Sequence, residues 1–303
     1  MSAPASVIDH KAAIARLTRT ERERMLQKSD RAGLTQLAIH VTALGVAALG
    51  MHIGGWLWFP SLVAFGVLLV FLFTAQHECV HFTAFERRWI NQAVARVIGA
   101  LLFNPATWFR YFHLAHHRYT QDPDRDPELA EKKPDSWGAY VWHVLGWRVV
   151  VSGVKTVIVN AFRDLEVYWL PANQRAAVKR EARVLLGIYA AAGALSVITG
   201  SSLIVEYWLL PLVVGQPALR LYLLAEHGRC AFVANMFENT RTTFTNSVIR
   251  RLAWNMPYHA EHHAFPSVPF HQLPSWHRHV RADLQCTSDG YSEFHRDYVK
   301  DMQ

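Results

Sequence analysis

Charged residues and cysteines are scarce in this chain of 303 residues. Only 18% of the residues are Asp, Glu, Lys or Arg, whereas about 25% is usual in a soluble domain. The three cysteines, Cys79, Cys230 and Cys286, offer no pairable disulfide framework, no CxxC motif and no zinc ribbon. A glycine-rich dinucleotide fingerprint and a CxxCH haem motif are also missing. The sequence therefore predicts that any electrons this chain uses come from another protein.

Two long stretches lack charge almost completely. No Asp, Glu, Lys or Arg occurs from Ala32 to His77, although one membrane-crossing helix needs only about 20 apolar residues. Gly54 and Gly55 mark a turn within this stretch, which predicts two spans at about 34–54 and 58–77. A second apolar stretch, interrupted only by Glu206 and Arg220, predicts two further spans at about 184–201 and 204–226.

The basic residues predict how these spans are oriented. Of the 31 Lys and Arg, nearly all lie outside the spans, and neither short turn between paired spans carries one. The positive-inside rule then places both termini and the central loop in the cytoplasm, as segments 1–33, 78–183 and 227–303. This distribution explains the sequence pI of 9.4 without a nucleic-acid partner.

The expected fold is an all-α, multi-pass membrane protein with a single domain over residues 1–303. Its four transmembrane helices form two hairpins, and a cytoplasmic helical cap carries the functional site. Two shorter apolar segments, Val97–Phe109 and Trp137–Trp147, are too short to span a membrane, so we expect them to lie at the interface or to cap the site.

Histidine is abundant, with 17 in the chain, and eight of them fall in three short boxes. The boxes read HECVH, HLAHH and HAEHH. Offsets of three and four residues place side chains on one face of a helix, and imidazole is a good ligand for iron, zinc or copper. The candidate metal ligands of the boxes are His77, His81, His113, His116, His117, His259, His262 and His263.

A ninth candidate, His227, stands outside the boxes at the predicted cytoplasmic end of the fourth span. It is therefore at the same depth as His77 and His81, which end the second span. Nine imidazoles are too many for one tetrahedral ion, which takes four ligands. The sequence therefore predicts two metals, with His227 allowing one site of five ligands and one of four.

Several other polar residues lie close to these histidines. Four of them are candidates for contact with the ligand imidazoles: Asn255, Glu78, Glu226 and Glu261. The acidic, proline-containing turn Tyr119–Glu128 follows the second box, and we expect a structural or capping role for it. Arg220, inside a span, is expected to face the protein interior or an anionic substrate head. The remaining histidines, among them His143, are expected to have no part in metal binding.

The first box also satisfies a different motif. HECVH matches H-E-x-x-H, the signature of zinc metalloproteases, in which the glutamate is a general base beside the ion. A membrane zinc hydrolase is therefore an alternative, although it has no use for two further HxxHH boxes. A histidine-rich metal transporter or metal-binding protein is a more distant alternative.

The order and spacing of the boxes resemble those of the integral-membrane fatty acid desaturase superfamily. The segments most similar to that family are FHLAHHRYT at 112–120, NTRTTFT at 239–245 and NMPYHAEHHAFP at 255–266. The resemblance extends from the first hairpin to about His279. The first box departs from the pattern of many acyl desaturases, because Glu78 and Cys79 replace a small and acidic pair.

The resemblance implies a non-haem diiron centre held by histidines, with O₂ as co-substrate. It implies oxidation of an unactivated C–H bond in a lipid-like substrate, for which acyl-chain desaturation is the first expectation. Hydroxylation or ketolation of an acyl, alkane or carotenoid substrate is the alternative within the same class, since such enzymes have similar boxes. Electrons would come from a ferredoxin, rubredoxin or cytochrome with its reductase, docking on the basic cytoplasmic face near the membrane lipids.

Overall fold

Most of the chain is helical in the computed structural model, which describes residues 8–302. The α-helices are α1 His10–Ala15, α2 Arg19–Met25, α3 Asp30–Ile53, α4 Trp58–His81, α5 Arg88–Leu101, α6 Ala106–Tyr119, α7 Trp137–Leu145, α8 Trp147–Phe162, α9 Arg175–Thr199, α10 Leu210–His227, α11 Met236–Asn239, α12 Ser247–Leu252, α13 His259–Ala264, α14 Leu273–Val280 and α15 Tyr291–Val299. Two short parallel strands, β1 Thr242–Thr243 and β2 Thr287–Ser288, pair with Thr242 opposite Thr287.

Four helical stretches are long and apolar enough to cross a membrane. They are Arg19–Ile53, Gly55–His81, Ala172–Thr199 and Val205–His227. Helices α7 and α8 are bent by 58° relative to one another, and together they would make a fifth such stretch. The four apolar helices expected from the sequence are therefore present, whereas the long helix α8 was not expected in the central loop.

The turn between α3 and α4 depends on glycine. Gly54 and Gly55 have φ angles of 76° and 57°, a left-handed conformation that glycine adopts without steric cost. Pro60 then lies in the first turn of α4, where its missing N–H costs no hydrogen bond. The two helices consequently run back along each other and are in contact.

Helices α4 and α10 cross at a pair of glycines. A Cβ atom on Gly66 would lie 2.5 Å from the Pro211 carbonyl oxygen, and one on Gly215 would lie 2.1 Å from the Gly66 carbonyl oxygen. The backbones can touch only because neither residue has a side chain. His77 and His227 follow the crossing by eleven and twelve residues, or about 16 and 18 Å of helix. The crossing therefore brings both helix ends to the same depth.

Short elements cover these two helix ends. Helix α13 contacts α11, α14 and β1, while α15 contacts α10 and β2. Their shared core contains large, fully buried side chains, among them Phe85, Phe237, Trp254 and Trp276. Helix α9, in contrast, packs mainly against α8, and so the third and fourth apolar helices do not lie along each other as the first two do.

Candidate metal centre

The first box forms the last turn of α4. His77 and His81 are one helical turn apart, and the helix ends at once because Phe82 adopts a left-handed conformation, with φ of 62°. Between them, Glu78 is fully buried and accepts hydrogen bonds from Thr83 Oγ1, at 2.9 Å, and from the backbone N–H of Phe270, at 3.1 Å. The end of α4 is thereby fixed to the covering segment.

The second box lies on α6, whose start is held by a carboxylate. Glu181 of α9 accepts hydrogen bonds from the backbone N–H groups of Ala106 and Thr107, at 3.2 and 2.8 Å. An acidic side chain at this end also interacts favourably with the helix dipole. One turn apart, His113 and His117 face the end of α4, while His116 faces α10.

Five histidines converge on one point. One ring nitrogen of each member lies within 4.8 Å of those of the others, and His113 Nε2 lies 2.9 Å from His117 Nε2. The group draws on three separate helices, α4, α6 and α13. Its members are His77, His81, His113, His117 and His262.

Four histidines converge on a second point beside the first. His116, His227 and His263 offer nitrogens within 4.8 Å of one another. His227 Nε2 is 3.2 Å from His116 Nε2 and also 3.2 Å from His259 Nε2. All nine candidate histidines thus lie in two adjacent groups of five and four, and His227 lies in the middle of the smaller one.

Three of the four Nδ1 atoms of the second group lie next to acceptors. His116 Nδ1 lies 3.0 Å from Asp126 Oδ1, and His227 Nδ1 lies 3.3 Å from the Asn239 carbonyl oxygen. The Thr120 hydroxyl donates to the His116 carbonyl and so accepts from His263 Nδ1, at 3.0 Å. In neutral imidazole a proton on Nδ1 leaves the lone pair on Nε2, so Nε2 is the atom available for a metal.

Two carboxylates stand close to further Nδ1 atoms. Glu226 Oε1 is 3.4 Å from His259 Nδ1, and Glu78 Oε1 is 3.7 Å from His262 Nδ1. Neither pair is hydrogen-bonded, since His259 Nδ1, His262 Nδ1 and Glu78 Oε1 have no hydrogen-bond partner. Glu78 and Glu226 are therefore neighbours of candidate ligands, and their supporting role stays a prediction.

Asn255 and Glu261 lie elsewhere. The side chain of Asn255 donates to the Phe270 carbonyl oxygen, at 3.0 Å, and lines a separate cavity that contains none of the nine histidines. Glu261 accepts hydrogen bonds from Thr242 and His277, and so ties α13 to β1 and α14. Neither residue hydrogen-bonds to a ligand imidazole, because their helices and turns direct these side chains into the covering segment.

The site is suited to bind metal. Burial lowers the pKa of His113, His117, His259, His262 and His263 well below the usual value, so these imidazoles are neutral. Within residues 8–302, several buried ring nitrogens have no hydrogen-bond partner, an arrangement that is costly unless something else occupies the lone pairs. These atoms are both ring nitrogens of His77 and His262, His81 Nε2, His117 Nδ1, His259 Nδ1 and His263 Nε2.

His116 differs from the other histidines. Burial alone lowers its pKa, but Glu128 and Asp126 outweigh this effect and raise it. Carboxylates that stabilise a proton on the His116 imidazole also stabilise a metal cation bound to it. The lone pairs of His227 and its neighbours point at one another across about 3 Å, and a cation between them removes that repulsion.

The HECVH alternative fits this geometry poorly. In a zinc protease the glutamate of the motif is a general base beside the ion. Here Glu78 is fully buried, and its Oε2 already accepts two hydrogen bonds from the protein. Histidines outside the motif also outnumber those within it in both groups.

A cavity of about 530 Å³ opens onto both groups of histidines. Its apolar lining includes four aromatic side chains, Phe73, Trp108, Phe109 and Phe112, and three leucines, Leu219, Leu223 and Leu224. Its polar lining includes Gln216 and His143, the bases Lys132, Lys133 and Arg220, and the acids Glu128, Glu131 and Glu226. A cavity with this lining suits a largely apolar molecule that also carries a polar group.

Sequence reasoning missed three residues that contact the imidazoles of candidate ligands: Thr120, Asp126 and Asn239. All three lie in segments that it singled out, the acidic turn and the NTRTTFT stretch, but as structural or family features. Asp126 does have the expected capping role, since it also accepts from the backbone N–H groups of Gln121 and Glu128. Asp126 also contacts His116, ten positions earlier in the sequence. Only the folded structure shows this contact.

Two of the three cysteines lie in contact, which their spacing in sequence does not indicate. Cys230 Sγ and Cys286 Sγ are 2.8 Å apart, both as free thiols. The two residues are 56 positions apart in sequence, and β1 and β2 bring their segments together. Spacing motifs such as CxxC cannot detect a pair of this kind.

The known proteins to which this chain is similar are named desaturases. A family model described as fatty acid desaturase matches residues 54–296. The chain is 29% identical to sn-1 oleoyl-lipid 12-desaturase of Anabaena variabilis, over 37% of this chain and 33% of that protein. It is 23% identical to dihydrorhizobitoxine desaturase of Bradyrhizobium elkanii, over 78% of this chain and 70% of that protein.

A third relative is the sn-1 acyl-lipid omega-3 desaturase (ferredoxin) of Nostoc sp., which is 26% identical over 26% of this chain and 22% of that protein. The chain thus spans only about a third or less of the length of the oleoyl-lipid and acyl-lipid relatives.

Proposed function

The chain belongs to the fatty acid desaturase family and is an oxidoreductase, and from this premise we propose that it uses two histidine-bound irons and O₂ to oxidise an unactivated C–H bond of a lipid-like substrate. The observation that supports the proposal best is the convergence of nine histidines, eight of them buried, into two adjacent groups. Desaturation is the reaction named for the relatives, and we propose it for this chain as well.

The proposed ligands divide between the two irons by position. The larger group would hold one iron through His77, His81, His113, His117 and His262. The smaller group would hold the other through His116, His227, His259 and His263. Neutral imidazole is a suitable ligand for iron, and the supporting contacts from Asp126, Thr120 and Asn239 keep the Nε2 atoms of the smaller group directed inward.

When bound, the two irons would supply the activation of O₂ that no side chain can provide. The part of this chain is to position the substrate and to keep water out. The aromatic and leucine side chains of the 530 Å³ cavity would hold an aliphatic chain against His77, His113 and His259. A dry, shaped pocket of this kind restricts which C–H bond lies next to the metals.

We propose the expected membrane arrangement as well, with four spans, a single domain and the histidines on the cytoplasmic side. The absence of Lys and Arg from both short turns supports it, as do the four apolar helices. The electron donor would then be a soluble cytoplasmic carrier. A ferredoxin is our first choice, because one relative is named for it, with a rubredoxin or a cytochrome with its reductase as alternatives.

Metal analysis and product analysis together test this function. Protein purified from cells should contain about two irons per chain, and cells that express it should gain unsaturated products in their lipid or fatty acid profile. New hydroxyl or keto groups without new double bonds would instead favour the hydroxylase or ketolase alternative. One zinc per chain, with function that survives loss of the second and third boxes, would contradict the proposal and favour a zinc hydrolase.

A further inference from the structure

Two cysteine side chains meet outside the groups of histidines. Cys230 Sγ and Cys286 Sγ lie 2.8 Å apart, and both residues are free thiols. Neither cysteine is a member of either histidine group. Both also lie outside the four apolar helical stretches, Cys230 shortly after α10 and Cys286 directly before β2. The pair is therefore a separate chemical feature of the segments that cover the helix ends.

Hydrogen bonds fix the backbone on each side of this pair. Cys286 donates its N–H to the Phe237 carbonyl oxygen, at 3.0 Å, and its own carbonyl oxygen accepts from the Thr242 N–H, at 3.1 Å. Cys230 donates its N–H to the His227 carbonyl oxygen, at 3.3 Å. The two sulfur atoms are consequently held together by the fold, and they can react with each other without unfolding.

The two thiols differ in their exposure and in their acidity. Cys230 is buried, whereas Cys286 is partly exposed. A hydrogen bond from the Cys230 thiol outweighs the effect of burial and, with the positive charges of Arg241 and Lys133, lowers the pKa of the Cys286 thiol. Accessible, readily ionised thiols beside a second cysteine are typical of redox-sensing sites, in which the second thiol resolves the oxidised first one.

We propose that Cys230 and Cys286 form a reversible disulfide when the protein meets hydrogen peroxide, with Cys286 as the reacting thiol and Cys230 as the resolving thiol. Disulfides in the cytoplasm are usually transient and redox-sensing, so the pair is reduced until the oxidant arrives. A dithiol reductant restores both thiols and becomes a disulfide itself.

The oxidation proceeds in two balanced steps. In the first, the Cys286 thiolate attacks one oxygen of the peroxide, the O–O bond breaks, and hydroxide leaves and takes up the thiol proton as water. Cys286 is then a sulfenic acid. In the second, the Cys230 sulfur attacks the Cys286 sulfur, the S–O bond breaks, and the hydroxyl group leaves with the Cys230 proton as a second water. The two thiols together lose two electrons, and the peroxide gains them.

The disulfide would stabilise the segments that cover the helix ends. It would link two positions that are 56 residues apart, and the chain between them includes β1, the third histidine box and α14. Closing a loop restricts the unfolded chain and so stabilises the folded protein. The oxidised protein is therefore expected to unfold at a higher temperature than the reduced protein.

Peptide mapping tests the bond directly. The full-length protein in detergent is reduced with dithiothreitol, desalted, treated with a small excess of hydrogen peroxide, alkylated, and mapped by mass spectrometry without reductant. We expect a peptide that links Cys230 to Cys286, and a fall in alkylated cysteines from three to one. The remaining one is Cys79, an internal control that is fully buried in α4. A second treatment with dithiothreitol should restore all three thiols.

Single variants test the roles of the two thiols. Cys230→Ser should accumulate a sulfenic acid on Cys286, trapped by dimedone, because the resolving thiol is gone. Cys286→Ser should leave the buried Cys230 unmodified at the same dose of peroxide. Peroxide should raise the unfolding temperature of wild type and leave that of both variants unchanged.

Three free thiols in wild type after peroxide treatment would overturn the inference, and this measurement does not depend on whether any variant folds. Oxidation of Cys286 beyond the sulfenic acid, without a linked peptide, would overturn it as well. A linked protein that unfolds at a lower temperature than the reduced one would refute the stabilising role. These measurements require neither bound iron nor a substrate, so their outcome is independent of the proposed function.

Discussion

At the scale of single residues, the hydrogen bonds to Nδ1 decide how each imidazole is presented. His116 and His227 are each held on the Nδ1 side by an oxygen, from Asp126 and from the Asn239 backbone. Both Nε2 atoms then face the same point, 3.2 Å apart. The smaller group therefore depends on a histidine outside the boxes and on a carboxylate in a turn.

His227→Ala should remove a central ligand of the smaller group. We expect loss of activity and of most of one iron, from about two irons per chain to about one, while the protein still inserts in the membrane. His40→Ala is the matched control, because His40 is also buried but its Nε2 bonds to the Leu68 carbonyl oxygen between α3 and α4. Metal content by mass spectrometry of purified protein measures both. Two irons and full activity in His227→Ala would mean that the boxes alone bind the metals.

Asp126→Asn should weaken metal binding without removing a ligand. The change keeps the size of the side chain but removes the negative charge beside His116 Nδ1, and loss of such a contact typically costs about 10- to 100-fold in metal affinity. Competition with an iron chelator measures the effect. Asp124→Asn, two residues away and exposed, should retain wild-type affinity. If the two variants behave alike, Asp126 has only its capping role.

The spacing of the nine histidines and their positions at helix ends suffice to single out the residues that the fold brings together, while their role as metal ligands stays a prediction. The sequence could not predict Thr120, Asp126 or Asn239 as their supports. Each of these reaches an imidazole through a turn or through a segment distant in sequence, such as the contact between Thr120 and His263 across 143 positions. Asn255 and Glu261 failed for the opposite reason, since proximity in sequence to a ligand does not determine which way a side chain points.

At the scale of helices, the site depends on the contact between α4 and α10. The two helices have no short connection, and their backbones meet at Gly66 and Gly215. A pattern of apolar runs predicts that successive helices pair, which holds for α3 and α4. It contains no information on this longer-range crossing. Helix α8 was missed for a related reason, because Arg148, Lys155 and Asn160 interrupt its apolar pattern.

Gly215→Ala should separate these helices. The new methyl group would lie 2.1 Å from the Gly66 carbonyl oxygen, a backbone atom that can move only with its helix. We expect a loss of about 1–3 kcal/mol, as is typical of overpacked positions, together with lower iron content, because α4 and α10 carry ligands of both groups. Thermal unfolding of the purified protein measures the first effect.

Gly193→Ala is the control for this change. Gly193 also lies in an apolar helix, α9, but a Cβ atom there has no neighbour within 4 Å. The control should keep the stability and the iron of wild type. Equal stability of Gly215→Ala and Gly193→Ala would show that the helices are not held at this crossing.

At the scale of the whole molecule, the two groups of histidines link topology to the proposed chemistry. The histidines lie at the ends of α4 and α10 and in the segments that follow each of these helices. In the arrangement that we propose, all of these segments lie on one side of the membrane. The positive-inside rule predicts that this side is the cytoplasm, so the proposed function and the charge distribution lead to the same arrangement.

Reporter fusions can test that arrangement directly. Green fluorescent protein or alkaline phosphatase is joined to the N-terminus, to the C-terminus or after Glu128. We expect the reporter at each of the three positions to indicate a cytoplasmic location, since positive charges are concentrated in the segments that contain these positions. A fusion at the Gly54–Gly55 turn, which carries no Lys or Arg, should read on the opposite side and serves as the control. A non-cytoplasmic signal after Glu128 would defeat the arrangement, because the histidines of α6 could not then reach those at the end of α4.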